Sequence, residues 1–269
     1  MDSYKQQVIE LYNSRTAYDQ EEGTRHPRDA NLLLESVPIE KGQKILDIAT
    51  GTGLVAIAAA QKVGSEGYVI GVDMSPGMLH QARLKVQAAG LQNIELIEAD
   101  TNYLNFSDSS FDAIFCCEAI MFLTDIPTSL QTWYRFLKPG GFVAFTCPPE
   151  TAYMAPVYKS ICTKVLGVSI PHIHEPYGTP QRCHDLLQQA GFRNIEVKIE
   201  PSGRYRKLRG DGASWKWLNL NFKGNPLLSN LSQEQLEQLQ VEYRAEIEKL
   251  TTDKGVWEDT TIFFVRAEK

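Results

Sequence analysis

The chain has 269 residues, of which 43% are hydrophobic, 10% aromatic and 22% charged, with 27 basic against 33 acidic side chains. This is the composition of a globular protein, and it excludes disordered, collagen-like and low-complexity classes. The net charge of −6 argues against a nucleic-acid partner, which needs a basic surface. We expect no membrane insertion, because no apolar run is long enough to span a bilayer and the amino terminus lacks a signal-peptide pattern. Five cysteines without a C-x-x-C motif suit a reducing compartment, so the expected location is cytoplasmic.

Short apolar runs alternate with helical stretches along the first half of the chain. The predicted strands cover 44–48, 68–73, 94–98, 111–116 and 141–145, and the predicted helices between them cover 54–63, 78–89 and 127–137. Two later runs, 194–200 and 260–265, predict two more strands. Strands that alternate with helices at this spacing are typical of an α/β fold with a parallel sheet covered on both faces.

A glycine-containing segment lies where the first predicted strand turns into the first helix. Asp47 precedes Gly51 and Gly53, two residues that let the backbone turn tightly and approach a ligand with no Cβ in the way. Asp73 ends the second strand, where a carboxylate can accept hydrogen bonds from both hydroxyls of a ribose. Taken alone, the glycines and Asp73 also fit a dinucleotide-binding fingerprint. Asp47 and Asp100 favour a cationic ligand over a pyrophosphate, because carboxylates repel phosphate groups.

Five motifs in the correct order resemble those of class I S-adenosylmethionine-dependent methyltransferases. The segment 45–53, Ile-Leu-Asp-Ile-Ala-Thr-Gly-Thr-Gly, resembles the first motif of the family. It is most similar to the branch of ubiquinone and menaquinone biosynthesis, where alanine also replaces the first glycine. The other matches lie at 71–79, 97–100, 111–114 and 137–141. The resemblance implies a Rossmann-like, doubly wound, mostly parallel seven-stranded sheet with helical lid insertions.

The resemblance also implies S-adenosylmethionine as the cofactor and suggests the residues that bind it. Gly51 and Gly53 would pass close to its methionine part, and Asp73 would hold the ribose hydroxyls. Asp100 would accept the adenine amine, and Asp47 would face the methionine ammonium, directly or through water. The remaining expected cofactor contacts are Ala49, Met74, Thr101 and Tyr18.

Two long insertions interrupt the repeating unit, at 151–178 and 201–255. Long insertions at loop positions of a compact α/β domain are usually lids or binding walls. The second insertion carries Trp215, Trp217 and Phe222, which predict a wall over an apolar methyl acceptor or, equally, packing against a polar helix. We therefore expect a single domain over 1–269, with an amino-terminal cap at 1–40, a cofactor-binding core at 41–150 and both insertions on the acceptor side.

Methyl transfer is an in-line displacement, in which a base is needed only where the acceptor keeps its proton. The expected catalytic groups are Glu118, His172 and His174. Glu118 lies near the end of the fourth strand, facing the expected pocket, and a free histidine titrates near neutrality, which suits a base. In an extended segment the two imidazoles would share a face, and a histidine pair on the surface is the alternative. Together with Cys183 and His184 they match no zinc spacing, so no metal is expected.

The predicted function is methyl transfer from S-adenosylmethionine to a small, apolar or aromatic molecule such as a quinone or a secondary metabolite. The alternatives are an NAD(P)-dependent oxidoreductase and a non-catalytic cofactor-binding module. The expected partner is this small-molecule methyl acceptor. A polar helix near 233–250 either packs on its own domain or forms a homodimer.

Overall fold

The computed structural model describes residues 3–21, 24–207, 218 and 220–269. Seven strands form its central sheet: β1 (Lys44–Ile48), β2 (Tyr68–Asp73), β3 (Ile94–Glu98), β4 (Phe111–Cys116), β5 (Leu137–Cys147), β6 (Arg193–Glu200) and β9 (Ile262–Glu268). Their order is β3-β2-β1-β4-β5-β9-β6, and β9 alone among them runs antiparallel to both neighbours. The prediction of a mostly parallel, seven-stranded α/β sheet is therefore confirmed. A separate two-stranded sheet pairs β7 (Gly203–Arg206) with β8 (Val256–Asp259).

Helices cover both faces of the sheet. Those of the core are α1 (Ser3–Asn13), α2 (His26–Glu35), α3 (Leu54–Val63), α4 (Pro76–Ala88), α5 (Ile126–Phe136) and α7 (Pro180–Gln189). Residues of α2 and α3 pack on one face, and residues of α5 and α7 pack on the other, so β1 between them is apolar except for Lys44 at its start and Asp47. Ser75 and Thr179 cap α4 and α7, each followed by proline as predicted. In the part of the chain that the structure describes, no helix has both the length and the apolar character needed to cross a membrane.

The two insertions pack against each other beside the sheet. The first contributes α6 (Ala155–Leu166), and the second contributes α8 (Pro226–Ser229) and α9 (Gln233–Leu250). Buried side chains from both form one apolar cluster, in which Leu239 and Tyr243 of α9 lie against Ile161 of α6. The apolar side of α9 therefore packs within its own chain.

For the aromatic residues of the second insertion, the structure favours packing against the polar helix over a wall at the ligand. Trp215 and Trp217 lie outside the described residues. Phe222 is 2% exposed and packs in the cluster of α6 and α9, so it belongs to the protein interior rather than to a wall over a ligand. Two arginines of β7, Arg204 and Arg206, pair with Glu258 of β8.

Candidate functional site

A cleft with about 740 Å³ of open space lies over the carboxyl ends of β1, β2 and β3. The strand order changes direction between β1 and β4. Ligands of open α/β sheets bind at such a topological switch point. The walls combine strand-end residues with side chains of α1. The residues lining it from the sheet side include Ala49, Gly51, Asp73, Met74, Asp100, Thr101, Cys117 and Glu118.

The turn after β1 has three residues in the left-handed backbone region, at φ +54° for Ala49, +55° for Gly51 and +81° for Gly53. A Cβ at Gly51 would meet nothing within 4 Å, so the glycine leaves open space where it faces the cleft. A Cβ at Gly53 would lie 3.0 Å from Ile57 Cδ1. Gly53 caps α3 beneath the turn and does not line the cleft wall, so it shapes the site without facing it.

Asp73 sits at the end of β2 with both carboxylate oxygens held by backbone amides. Gly51 N–H donates to Oδ2 at 2.8 Å, and Ser75 N–H donates to Oδ1 at 2.8 Å. Burial raises the pKa of this carboxyl. Because each carboxylate oxygen has two lone pairs, both oxygens can still accept a hydroxyl from a ligand in the cleft.

Asp100 follows β3 and forms an ion pair that the sequence did not suggest. Lys5 of α1 lies 2.6 Å from its Oδ2, and Asn102 N–H donates to its Oδ1 at 3.0 Å. The Lys5 side chain is 8% exposed and lines the cleft. Sequence reasoning missed this ion pair because 95 residues separate Lys5 from Asp100. The available indication was that Lys5 lies on the buried side of α1.

The amino-terminal segment is fixed over the cleft by side-chain hydrogen bonds. Asn13 Oδ1 accepts from Ser75 Oγ at 2.7 Å and from Gly77 N–H at 3.0 Å. Farther along, Thr52 Oγ1 donates to Asp19 Oδ1 at 2.6 Å. These contacts hold Tyr18, which is 9% exposed, in the cleft wall, as expected for a cap that folds over a ligand.

A second cavity of about 370 Å³ adjoins the first. Asp47 lines it but is only 1% exposed. Its Oδ2 accepts from Thr50 Oγ1 at 2.5 Å and from Ala56 N–H at 3.1 Å, which ties the turn to α3. Burial raises the pKa of Asp47 to about 7, despite these hydrogen bonds.

Glu118 lies between the two cavities and lines both. Its Oε2 is 2.9 Å from Nδ1 of His26, the first residue of α2, and the Tyr18 ring stacks on this imidazole with centroids 4.4 Å apart. Burial opposes ionisation of Glu118, but His26 and the neighbouring Asp29 hold its pKa below the usual value. Burial and the nearby Glu118 raise the pKa of Asp29 to about 6. Sequence reasoning found Glu118 but missed His26, which precedes a proline at a helix start and has no motif around it.

His172 and His174 are placed away from both cavities. Each is 5% exposed, so the interpretation as a surface pair is wrong, and neither lines the walls given above. The segment forms a turn rather than an extended strand, with the two rings 4.5 Å apart and Phe222 packed against His172. Burial lowers the pKa of His172 to about 4, because the insertions enclose it where they meet the core.

The electrostatic character of the site follows from these groups. Four of the ionisable side chains in the described walls are acids: Asp47, Asp73, Asp100 and Glu118. The lysine of the first cleft is already paired with Asp100. Such walls disfavour the pyrophosphate of a nicotinamide dinucleotide and suit hydroxyls, an exocyclic amine and cations. S-adenosylmethionine, with a ribose, an adenine amine, a sulfonium and an ammonium, fits this set of groups.

The similarity of this chain to known proteins agrees with S-adenosylmethionine as the ligand of the site. A family model described as a methyltransferase domain matches residues 45–141. The chain is 31% identical over 213 residues to aklanonic acid methyltransferase DauC of Streptomyces sp. strain C5, an alignment that covers 77% of this chain and 95% of the relative. It is 38% identical over 189 residues to the demethylmenaquinone methyltransferase of Geobacillus stearothermophilus, covering 65% of this chain and 81% of that one.

The fold also matches solved structures. Phosphoethanolamine N-methyltransferase 2 of Haemonchus contortus, solved in complex with S-adenosyl-L-methionine, superposes with a TM-score of 0.63 at 20% identity. The match covers all of this chain and 60% of the Haemonchus contortus chain. At this level of identity the likeness shows a shared fold.

Proposed function

This chain belongs to the class I S-adenosylmethionine-dependent methyltransferases, and we propose that its methyl acceptor is a small quinone or a related apolar aromatic compound. The observation that carries the proposal is the division of the first cleft into an acidic and an apolar part. The apolar part is formed by Val8, Ile9, Tyr12, Phe122 and Leu123. The rings of Tyr12 and Phe122 meet edge to face at 5.7 Å, an arrangement that leaves an aromatic wall for a flat ligand.

The names of the relatives support the same class of acceptor. The Streptomyces relative is named for aklanonic acid and the Geobacillus relative for demethylmenaquinone, and both names denote small molecules. The acidic part of the cleft then holds the cofactor. Asp73 binds the ribose hydroxyls and Asp100 the adenine amine, with Met74 and Thr101 beside the base.

The bound cofactor supplies an electrophilic methyl group on a cationic sulfur. The chain's own residues contribute position and exclusion of water: α1 closes the cleft from one side through Lys5 and Tyr12, and Phe122 closes it from the other. Holding the acceptor in line and away from water can supply most of the rate acceleration for such a displacement. His172 and His174 need no part in this step.

We extend the proposal to the location, the domain organisation and the assembly of the protein. The protein works in the cytoplasm, which is consistent with its five free cysteines. The amino-terminal cap, the core and both insertions act as one domain, as the buried contacts of α1 with the core and of α6 with α9 support. A homodimer would need a surface other than the apolar side of α9, and light scattering of the purified protein tests for it.

The test has two steps, of which the first concerns the cofactor. Thermal unfolding is followed with S-adenosylhomocysteine and, separately, with NAD and NADP. A ligand at a hundredfold excess over its Kd adds about 2.7 kcal/mol to the free energy of unfolding, so we expect a higher Tm with S-adenosylhomocysteine alone. A shift with a nicotinamide cofactor alone would contradict the assignment.

The second step concerns the acceptor. Transfer of a labelled methyl group is measured with a demethylated menaquinone analogue, an anthraquinone carboxylic acid and a hydrophilic amine of similar size. We expect product with one or both aromatic acceptors and none with the amine. Methylation of the amine alone would refute the proposed acceptor class while leaving the cofactor assignment intact.

A further inference from the structure

The residues assigned to the adenosine of the cofactor all line the first cleft. The second cavity therefore has no part of the ligand assigned to it. Asp73 and Asp100, in the first cleft, suit the ribose and the adenine. The amino-acid end of the cofactor carries an ammonium and a carboxylate, and it needs a place of its own. The two cavities share the walls formed by Tyr18, Ala49, Gly51, Cys117 and Glu118. A ligand that fills the first cleft therefore extends into the second.

Asp47, the acid expected to face the ammonium, is poorly suited to that contact. Its side chain is 1% exposed, and its Oδ2 already accepts hydrogen bonds from Thr50 and Ala56. Burial also raises its pKa to about 7, so near neutrality a large fraction of this carboxyl is protonated. Its hydrogen bonds hold the turn after β1 in shape.

Glu118 has the properties that Asp47 lacks. Its side chain is 13% exposed and faces both cavities. His26 Nδ1 lies 2.9 Å from its Oε2, and Asp29 lies within side-chain hydrogen-bonding reach of the same carboxylate. Its Oε1 is buried and receives no hydrogen bond from a donor among the described residues. The backbone of Glu118 is fixed in the left-handed region at φ +51°, where its N–H donates to Thr146 Oγ1 at 2.7 Å. Glu118 thus lies at the junction of the two cavities with its backbone fixed, and the lone pairs of its Oε1 can accept from a cationic donor.

The charged groups around Glu118 come from several elements. His26 and Asp29 lie on α2, and Arg25, which directly precedes this helix, lies 3.2 Å from Asp29. On the other sides are Tyr18 in the amino-terminal segment and Asp47 at the end of β1. Arg25 pairs with Asp29, and both Asp29 and His26 contact the Glu118 carboxylate.

We propose that Glu118 binds the ammonium of the cofactor's amino-acid end and that His26 is the positioning residue that aims the carboxylate at it. The inference rests on the proposed function, because it requires the adenosine to occupy the first cleft. The Tyr18 ring, stacked on His26, fixes the imidazole and presents an aromatic wall beside the cation. This assigns Glu118 to cofactor binding rather than to proton abstraction from the acceptor.

The experiment compares two ligands by calorimetry. S-adenosylhomocysteine carries the amino-acid end, whereas 5′-methylthioadenosine has the same adenosine and sulfur without it. For Glu118→Gln we expect the affinity for S-adenosylhomocysteine to fall about tenfold to hundredfold, as for loss of a charged hydrogen bond. The affinity for 5′-methylthioadenosine should change by less than about twofold, since it lacks the ammonium. His26→Gln should lose affinity for the same ligand, to a smaller extent.

A matched control is Glu175→Gln. Glu175 is also an acid in an ion pair, with Lys159, but it lines neither cavity. The control should bind both ligands with the affinities of the wild type. Equal weakening of both ligands by Glu118→Gln would overturn the inference, as would unchanged affinities with a lower kcat, which would make Glu118 a proton acceptor. If Glu118→Gln does not fold, the selectivity of His26→Gln decides alone. Wild-type protein that binds neither ligand would overturn the proposed function itself, and this inference with it.

Discussion

Replacing Asp47 with asparagine should stabilise the protein at alkaline pH and leave its stability unchanged in acid. The pKa of this buried carboxyl rises from 3.8 to about 7, and one pKa unit corresponds to about 1.4 kcal/mol. The folded state therefore loses stability as the pH rises from about 4 to about 7, because the unfolded chain releases the proton more readily. The full loss is on the order of 4 kcal/mol. Asparagine keeps an oxygen for Thr50 and Ala56 without the charge.

The assay is urea unfolding of the cofactor-free protein at pH 5, 6, 7 and 8. The variant should exceed the wild type by on the order of 2–4 kcal/mol at pH 8 and by roughly 1–2 kcal/mol at pH 5, where the unfolded wild-type chain is already ionised at Asp47. The difference should vanish only below about pH 4, where Asp47 is protonated in both the folded and the unfolded state. Asp108→Asn is the control, because this acid is 67% exposed and should give a difference of less than about 1 kcal/mol at every pH. Parallel pH profiles for Asp47→Asn and the wild type would refute the reasoning.

Three further predictions concern the first cleft. Asp73→Ala should weaken S-adenosylhomocysteine binding by about 1.5–3 kcal/mol, and unchanged affinity by calorimetry would remove Asp73 from the site. Lys5→Met should lower the free energy of unfolding by on the order of 2 kcal/mol, because it leaves the mostly buried Asp100 without its cation; equal urea midpoints would contradict this. Phe122→Ala should raise the KM for the aromatic acceptor more than the KM for S-adenosylmethionine in initial-rate measurements, and a larger effect on the cofactor would place Phe122 at the other end of the cleft.

The part of the site that lies at strand ends could be predicted from the sequence. Asp47, Asp73 and Asp100 each follow a short apolar run, and the carboxyl ends of neighbouring parallel strands must meet at one edge of the sheet. The turn between β1 and α3 was equally accessible, because Gly51 and Gly53 mark backbone angles that other residues rarely adopt. In each case a local signal was enough.

Contacts between distant segments could not be predicted in the same way. Lys5 reaches Asp100, and His26 reaches Glu118, across more than ninety residues each. Both pairs depend on how α1 and α2 pack on the sheet, and a single sequence does not encode that packing in any short pattern. His172 and His174 show the converse error. Their spacing suggested a shared polar face, but the segment is a turn of the first insertion, buried against Phe222 of the second.

Asp47 and Glu118, the two acids that line the second cavity, differ in pKa because their surroundings differ. This difference bears on catalysis. Burial raises the pKa of Asp47 to about 7, whereas His26 and Asp29 hold the pKa of Glu118 below its usual value despite its burial, so Glu118 is the more fully ionised acid and the better partner for an ammonium. That ammonium is the same before and after methyl transfer, because only the sulfur changes its charge. A contact between Glu118 and the ammonium is therefore equally strong in the ground state and the transition state, and it holds the cofactor without altering the barrier. The acceleration must then come from the other end of the cleft, where α1 and Phe122 fix the acceptor in line with the methyl group.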